Sequence, residues 1–150
     1  MKIDEPAHSF ADILPELRQF SFIMTGDEEA ADAALEEALK SALDCVDAAH
    51  GFPCHRSWLF AHLLQALKRS SSSATPDLGI VAWVSLLQIP PEERAVLVLA
   101  EGFDFDLVTT SLITGRPRQK TERLLSGARQ AFYKLSADYG VSQERELSLQ

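Results

Sequence analysis

Thr114-Gly115-Arg116-Pro117-Arg118-Gln119-Lys120-Thr121-Glu122-Arg123-Leu124-Leu125 is the stretch whose reading decides the fold of this chain. Gly115 and Pro117 mark a tight turn. Before it, Leu107, Val108, Leu112 and Ile113 predict a short helix that Asp104 or Asp106 can cap. After it, Thr121, Leu124, Leu125, Ala128, Ala131, Phe132 and Leu135 recur at helical spacing and predict a long helix with one buried side. Gln119, Arg123, Ser126 and Gln130 fall on the opposite side. A short helix, a glycine turn and a longer helix form the helix–turn–helix pattern. Guanidinium and amide groups on such a helix reach base edges, and cations at its start pin phosphates. Arg116, Arg118, Gln119, Lys120 and Arg123 are therefore the candidate DNA-contact residues.

Upstream of this motif, Ile80, Val81, Trp83, Val84, Leu86 and Leu87 form an apolar segment that Pro90-Pro91 stops. Pro91 suits the first position of a new helix, where its missing N–H costs least. The run from Ala95 to Ala100 has strand character taken alone. Glu92-Glu93-Arg94 before it and Gly102 after it argue for helix. Further upstream, Ser70-Ser71-Ser72-Ser73-Ala74-Thr75-Pro76 is flexible by composition and reads as a linker.

In the first half, Phe10, Ile13, Leu14, Leu17, Phe20 and Met24 recur at helical spacing. Pro15 lies within that run, so the helix is expected to begin near it. Gly26 can end this helix. Thr25 with Glu28 has capping-box spacing, and Asp27 is an equally good N-cap for the next helix. That helix carries Ala31, Ala34, Leu35, Ala38, Leu39, Ala42 and Val46 on one side and acids over much of the rest. Residues 49–53 read as a loop. Ser57 can cap a third helix bearing Trp58, Leu59, Phe60, Leu63, Leu64 and Leu67, with Trp58 and Phe60 read as core. The fold class is all-α, with two small helical domains. The first spans 10–69, the serine-rich linker 70–78, the helix–turn–helix domain 79–137, and a frayed tail 138–150.

The net charge is −8 over 150 residues, and it is unevenly placed. Residues 1–50 hold Lys2, Arg18 and Lys40 against twelve Asp and Glu, whereas residues 101–150 balance. A free-standing nucleic-acid binder usually has the opposite sign. No apolar run approaches a membrane span, and the N-terminus lacks a signal-peptide core, so no membrane insertion and a cytoplasmic location are expected. Cys45 and Cys54 make no disulfide framework. With His50 and His55 they lack the usual zinc spacing, so no metal is expected. No phosphate loop, dinucleotide glycine set, nucleophile elbow or zinc-protease motif occurs, and the paired carboxylates fall on exposed helix positions. Neither an enzyme nor a cofactor is expected.

Two sets of residues carry a family resemblance. Leu14-Pro15-Glu16-Leu17-Arg18, Thr25-Gly26-Asp27 and Arg56-Ser57-Trp58-Leu59-Phe60 resemble region 2 of the small two-domain (extracytoplasmic-function) sigma factors of bacterial RNA polymerase. Pro90-Pro91-Glu92-Glu93-Arg94-Ala95-Val96-Leu97 and Glu101-Gly102-Phe103 resemble region 4, and Gly115-Arg116-Pro117 matches its Gly-x-Pro turn. The resemblance covers roughly Phe10 to Phe132. It implies that the region 4 helix reads an upstream promoter element. It also implies that the helix after the Gly-Asp turn docks on the polymerase core, or on an anti-sigma factor, through Asp32, Leu35, Glu36 and Leu39. The chain departs from the pattern in several places: Ala33-Ala34 replace larger residues, and the loop between the second and third helices is shorter. Glu36 stands where glutamine is common. Only Lys68-Arg69 precede the serines, where the family has several arginines. The stretch from Gly102 to Gly115 is two residues longer.

Two functions follow from the resemblance. One is a sigma factor that binds core polymerase and promoter DNA. The alternative is a sigma mimic that sequesters an anti-sigma factor without binding DNA, which suits the acidic first half and the reduced cationic end of the third helix.

Overall fold

Helix α1 (Phe10–Thr25) exists because Ile13, Leu17 and Phe20 lie one turn apart and are all buried. The computed structural model describes residues 10–45, 51–69 and 81–148. The lead at 1–9, Val46, His50 and the serine linker at 70–78 lie outside them, as do the side chains of Val81, Trp83 and Val84. No strand occurs among the described residues. The chain packs as two units, Met1–Ser73 and Ala74–Gln150.

In the first unit, α1 starts earlier than expected, and Pro15 sits inside it. An interior proline forfeits one backbone bond. Here Ile13, buried ahead of it, holds the first turn in place, and the freed carbonyl belongs to exposed Ala11. Gly26, at φ 70°, ends the helix in the left-handed region. Asp27 caps α2 (Glu28–Asp44), its carboxylate accepting from the Ala30 N–H at 3.3 Å. The Thr25 hydroxyl makes no cap to α2: it donates to the Ser21 carbonyl at 2.9 Å and accepts from the Asp27 N–H at 3.3 Å. The buried Ser21 hydroxyl donates to the Ala31 carbonyl at 2.8 Å, joining α1 to α2.

Helix α3 (His55–Arg69) begins two residues before the expected cap. Cys54 precedes the helix, and Ser57 braces the turn from within by donating to the Cys54 carbonyl at 2.8 Å. Burial of Ser57 explains this: its hydroxyl must find a partner inside the lobe. The three helices pack on one another around Phe20 and Phe60, whose rings meet at 5.4 Å and 57°. Trp58 is core as well, and its ring meets His62 edge-on at 5.2 Å.

In the second unit, α4 (Val81–Gln88) is followed by α5 (Pro91–Leu97), with Pro91 at its first position as expected. The chain then winds on as a π turn, Val98–Gly102, closed by the Phe103 N–H on the Val98 carbonyl at 3.1 Å. The apolar run 95–100 is thus helical throughout. Asp104 takes φ 58°, and Phe103 and Phe105 on either side of it are both buried. Asp106, not Asp104, caps α6 (Leu107–Thr114) by accepting from Thr109 N–H at 2.7 Å. This bond holds its carboxyl below the ordinary range. α7 (Arg118–Ser148) runs well past the expected end at residue 137. No proline interrupts residues 138–148, and Gln143, Glu144, Arg145, Glu146 and Leu147 are good helix formers.

Two predictions follow. Phe60→Ala empties the centre of the first lobe and lowers stability by about 3–5 kcal/mol in urea denaturation. Burial and the Arg69 charge hold the His62 imidazole below its ordinary 6.5. As pH falls below that value the unfolded chain takes up the proton first, so the stabilisation is full above it and declines toward the depressed folded value. His62→Asn removes this part of the acid loss. The check is urea denaturation at about pH 7.5 and about pH 5.5.

Candidate nucleic-acid interface

Gly115 ends α6 at φ 69°, ψ 23°, a conformation that costs a residue with a side chain more than it costs glycine. Its N–H and that of Arg116 bond to the Ser111 carbonyl. Pro117 then leads into α7, where the Thr121 hydroxyl donates to the Pro117 carbonyl at 3.1 Å and is fully buried. From Thr121 the helix is committed. Leu125 and Ala128 join Ile89, Val96 and Leu97 in one cluster, with Leu124, Ala131, Phe132 and Leu135 packed at its edge. Gln119, Arg123, Ser126 and Gln130 are all exposed, as the helical period requires.

Arg94 anchors the corner that supports this helix. It is only 7% exposed, and its guanidinium donates to the carbonyls of Leu87 and Ile89 at 3.0 Å. These are carbonyls at the end of α4 that no helical N–H reaches. Burial lowers the Arg94 pKa from its ordinary value.

The five candidate DNA contacts fall into two groups. Arg118, Gln119 and Arg123 are exposed, and no carboxylate among the described residues pairs with either arginine. Arg116 and Lys120 both reach one carboxylate oxygen, Glu92 Oε1 on α5, at 2.8 and 3.7 Å. The Arg116 Nε approach has ion-pair distance without hydrogen-bond alignment. Arg129, further along α7, pairs with Glu101 in the π turn. Chemically, this end of the lobe offers two open guanidiniums, one amide and two internally engaged cations.

In the first lobe, Asp32 and Glu36 point outward on α2, each with a cation: Arg18 at 3.4 Å and Lys40 at 3.0 Å. Leu39 is half-buried, whereas Leu35 is 6% exposed and packs inward. Leu43, 76% exposed, was not singled out by the sequence reading. It lies one turn beyond Leu39, so Asp32, Glu36, Leu39 and Leu43 share a flank of α2, spaced four, three and four residues apart. That spacing was the available signal. Among the described residues, no three His, Cys, Asp or Glu side chains gather as metal ligands, and no helix is long and apolar enough to cross a membrane.

This architecture matches solved structures. The sigma factor RpoE of Bartonella quintana, solved with the anti-sigma factor NepR, superposes with a TM-score of 0.65 at 18% identity, over 82% of this chain and 91% of that one. The chain has the sigma-factor fold. The anti-anti-sigma factor PhyR of the same organism, complexed with NepR, matches with a TM-score of 0.64 at 18% identity, over 83% of this chain and 49% of that one. No protein-family model and no curated protein matches the sequence. The sigma-like lobes are thus a divergent version of a fold that both a sigma factor and an anti-anti-sigma factor use.

Arg116 and Lys120 are half-exposed where they meet Glu92, and such pairs contribute little to stability. Replacing either by alanine changes the unfolding free energy by less than about 1 kcal/mol. Arg94→Ala, by contrast, strands the α4 carbonyls and costs about 2–4 kcal/mol in the same urea measurement.

Proposed function

We propose that this protein is a sigma-like transcription regulator that acts by binding, not catalysis. The second lobe docks α7 on promoter DNA. Arg118, Gln119 and Arg123 face the bases and phosphates, and Arg116 and Lys120 lie at the helix start. The first lobe docks on core RNA polymerase through the α2 flank of Asp32, Glu36 and Leu39, with Leu35 supporting that flank from beneath. The observation that carries this reading is the pair Arg118 and Arg123. Both stand outward on a helix whose other side is locked in the core, and neither is engaged by a carboxylate among the described residues. A small anti-sigma factor is the regulatory partner this reading calls for, and the cytoplasm is where it operates.

A second reading has its own support. Glu92 engages two of the five candidate cations, residues 1–50 are strongly acidic, and both solved neighbours are held by an anti-sigma factor. A sigma mimic that sequesters such a factor needs the fold and not the DNA contacts.

The two readings part on one experiment. On the first, the protein with core polymerase shifts promoter duplex in a mobility assay, and the double change Arg118→Glu, Arg123→Glu abolishes the shift while leaving capture of core polymerase intact. The mimic reading expects no shift with or without polymerase, and undiminished capture of a small helical anti-sigma factor by the double variant. Failure of the wild-type protein to be retained on core polymerase overturns the first reading.

A further inference from the structure

We propose that Glu92 is a built-in competitor for DNA phosphate, which holds Arg116 and Lys120 in the free protein and must be displaced before they can bind a duplex. The inference rests on the promoter-binding reading and deepens it.

Three observations point to it. First, the two cations come from different places, one from the turn and one from the first turn of α7, yet both converge on a single oxygen of one side chain. An anionic oxygen between a guanidinium and an ammonium is the arrangement a DNA phosphate oxygen takes at a recognition helix. Second, the cluster is held loosely: the shared Glu92 Oε1 is closed off from solvent yet takes no hydrogen bond. Arg116, Lys120 and Glu92 are each about two-fifths exposed or somewhat more. Pairs of this kind are weak and screened by salt. The Arg116 contact lacks hydrogen-bond alignment, so its N–H donors are not used up. Arg94 in the same lobe shows the contrasting case, a guanidinium buried on backbone carbonyls and unable to leave. Third, Arg118 and Arg123 on the same helix have no such carboxylate among the described residues. The competition is therefore selective: it engages Arg116 and Lys120 and leaves Arg118, the first residue of α7, and Arg123 open.

A tethered carboxylate sits at high effective concentration, so it lowers affinity for any single duplex. Because phosphate contacts are blind to sequence, the loss falls on every duplex alike, and a site that adds no base contacts keeps little affinity. Glu92 thus biases the lobe toward sites where base contacts or a polymerase partner supply the remainder.

The test is fluorescence anisotropy of the full chain with a short labelled duplex of arbitrary sequence, over a series of salt concentrations. Glu92→Gln tightens binding about three- to tenfold at low salt and steepens the plot of log affinity against log salt by about one. Glu92→Ala gives the same gain, and thermal unfolding verifies that both variants fold. In an Arg116→Ala, Lys120→Ala background, Glu92→Gln adds nothing. Equal or weaker binding by Glu92→Gln, when the wild type binds, overturns the proposal. So does an undiminished gain in the double-alanine background, which would mean that net charge alone was responsible. If neither the wild type nor Glu92→Gln binds the duplex at low salt, Glu92 is not what limits phosphate binding and this proposal falls, while the promoter reading stands or falls separately on the mobility assay with core polymerase.

Discussion

One side of α7 is committed to the core of the second lobe, and that commitment determines what the other side can do. Thr121, Leu125 and Ala128 are buried against residues of α4 and α5 and the corner between them. A helix held on that face cannot rotate, so Gln119, Arg123, Ser126 and Gln130 must look outward. The glycine turn at 115 and the Thr121 hydroxyl on Pro117 set where the helix begins. Behind them, Arg94 ties down the end of α4 and so orients the start of α5, which carries Glu92. The packed side, the turn and the buried arginine together bring a carboxylate up to the first turn of α7.

The two lobes carry different electrostatics. In the first, Arg18, Lys40, Arg56 and Arg69 are each paired with a carboxylate, and acids still outnumber cations fourfold in residues 1–50. Such a field repels a duplex and attracts a cationic protein surface. In the second, Arg118 and Arg123 offer positive charge outward. The acidic stripe on α2 also ends in half-buried Leu39 and exposed Leu43.

Much of the local structure was legible in the residues. Asp27 and Asp106 read as caps and are caps; Pro91 reads as a first helical position and is one. Trp58 and Phe60 read as core and are buried. The misreadings share a cause. Pro15, Ser57 and the end of α7 were judged by local propensity. Burial of Ile13 and burial of Ser57 outweighed it, and α7 continues past Gly140 to Ser148 with no proline to stop it. Leu35 entered the contact set because a resemblance placed it there, and its depth depends on how α1 and α3 lie against α2.

What the chain alone determined is the inward and outward sorting of each helix. That sorting follows from a period set by neighbouring residues on the same strand of backbone. The cationic cluster around α7 and the acidity of the first half were readable for the same reason. Only the tertiary structure decided that Glu92 reaches Arg116 and Lys120 while leaving Arg118 and Arg123 open, and that Arg94 is buried on carbonyls. Those pairings depend on which helices lie side by side, and helical periodicity carries no information about that.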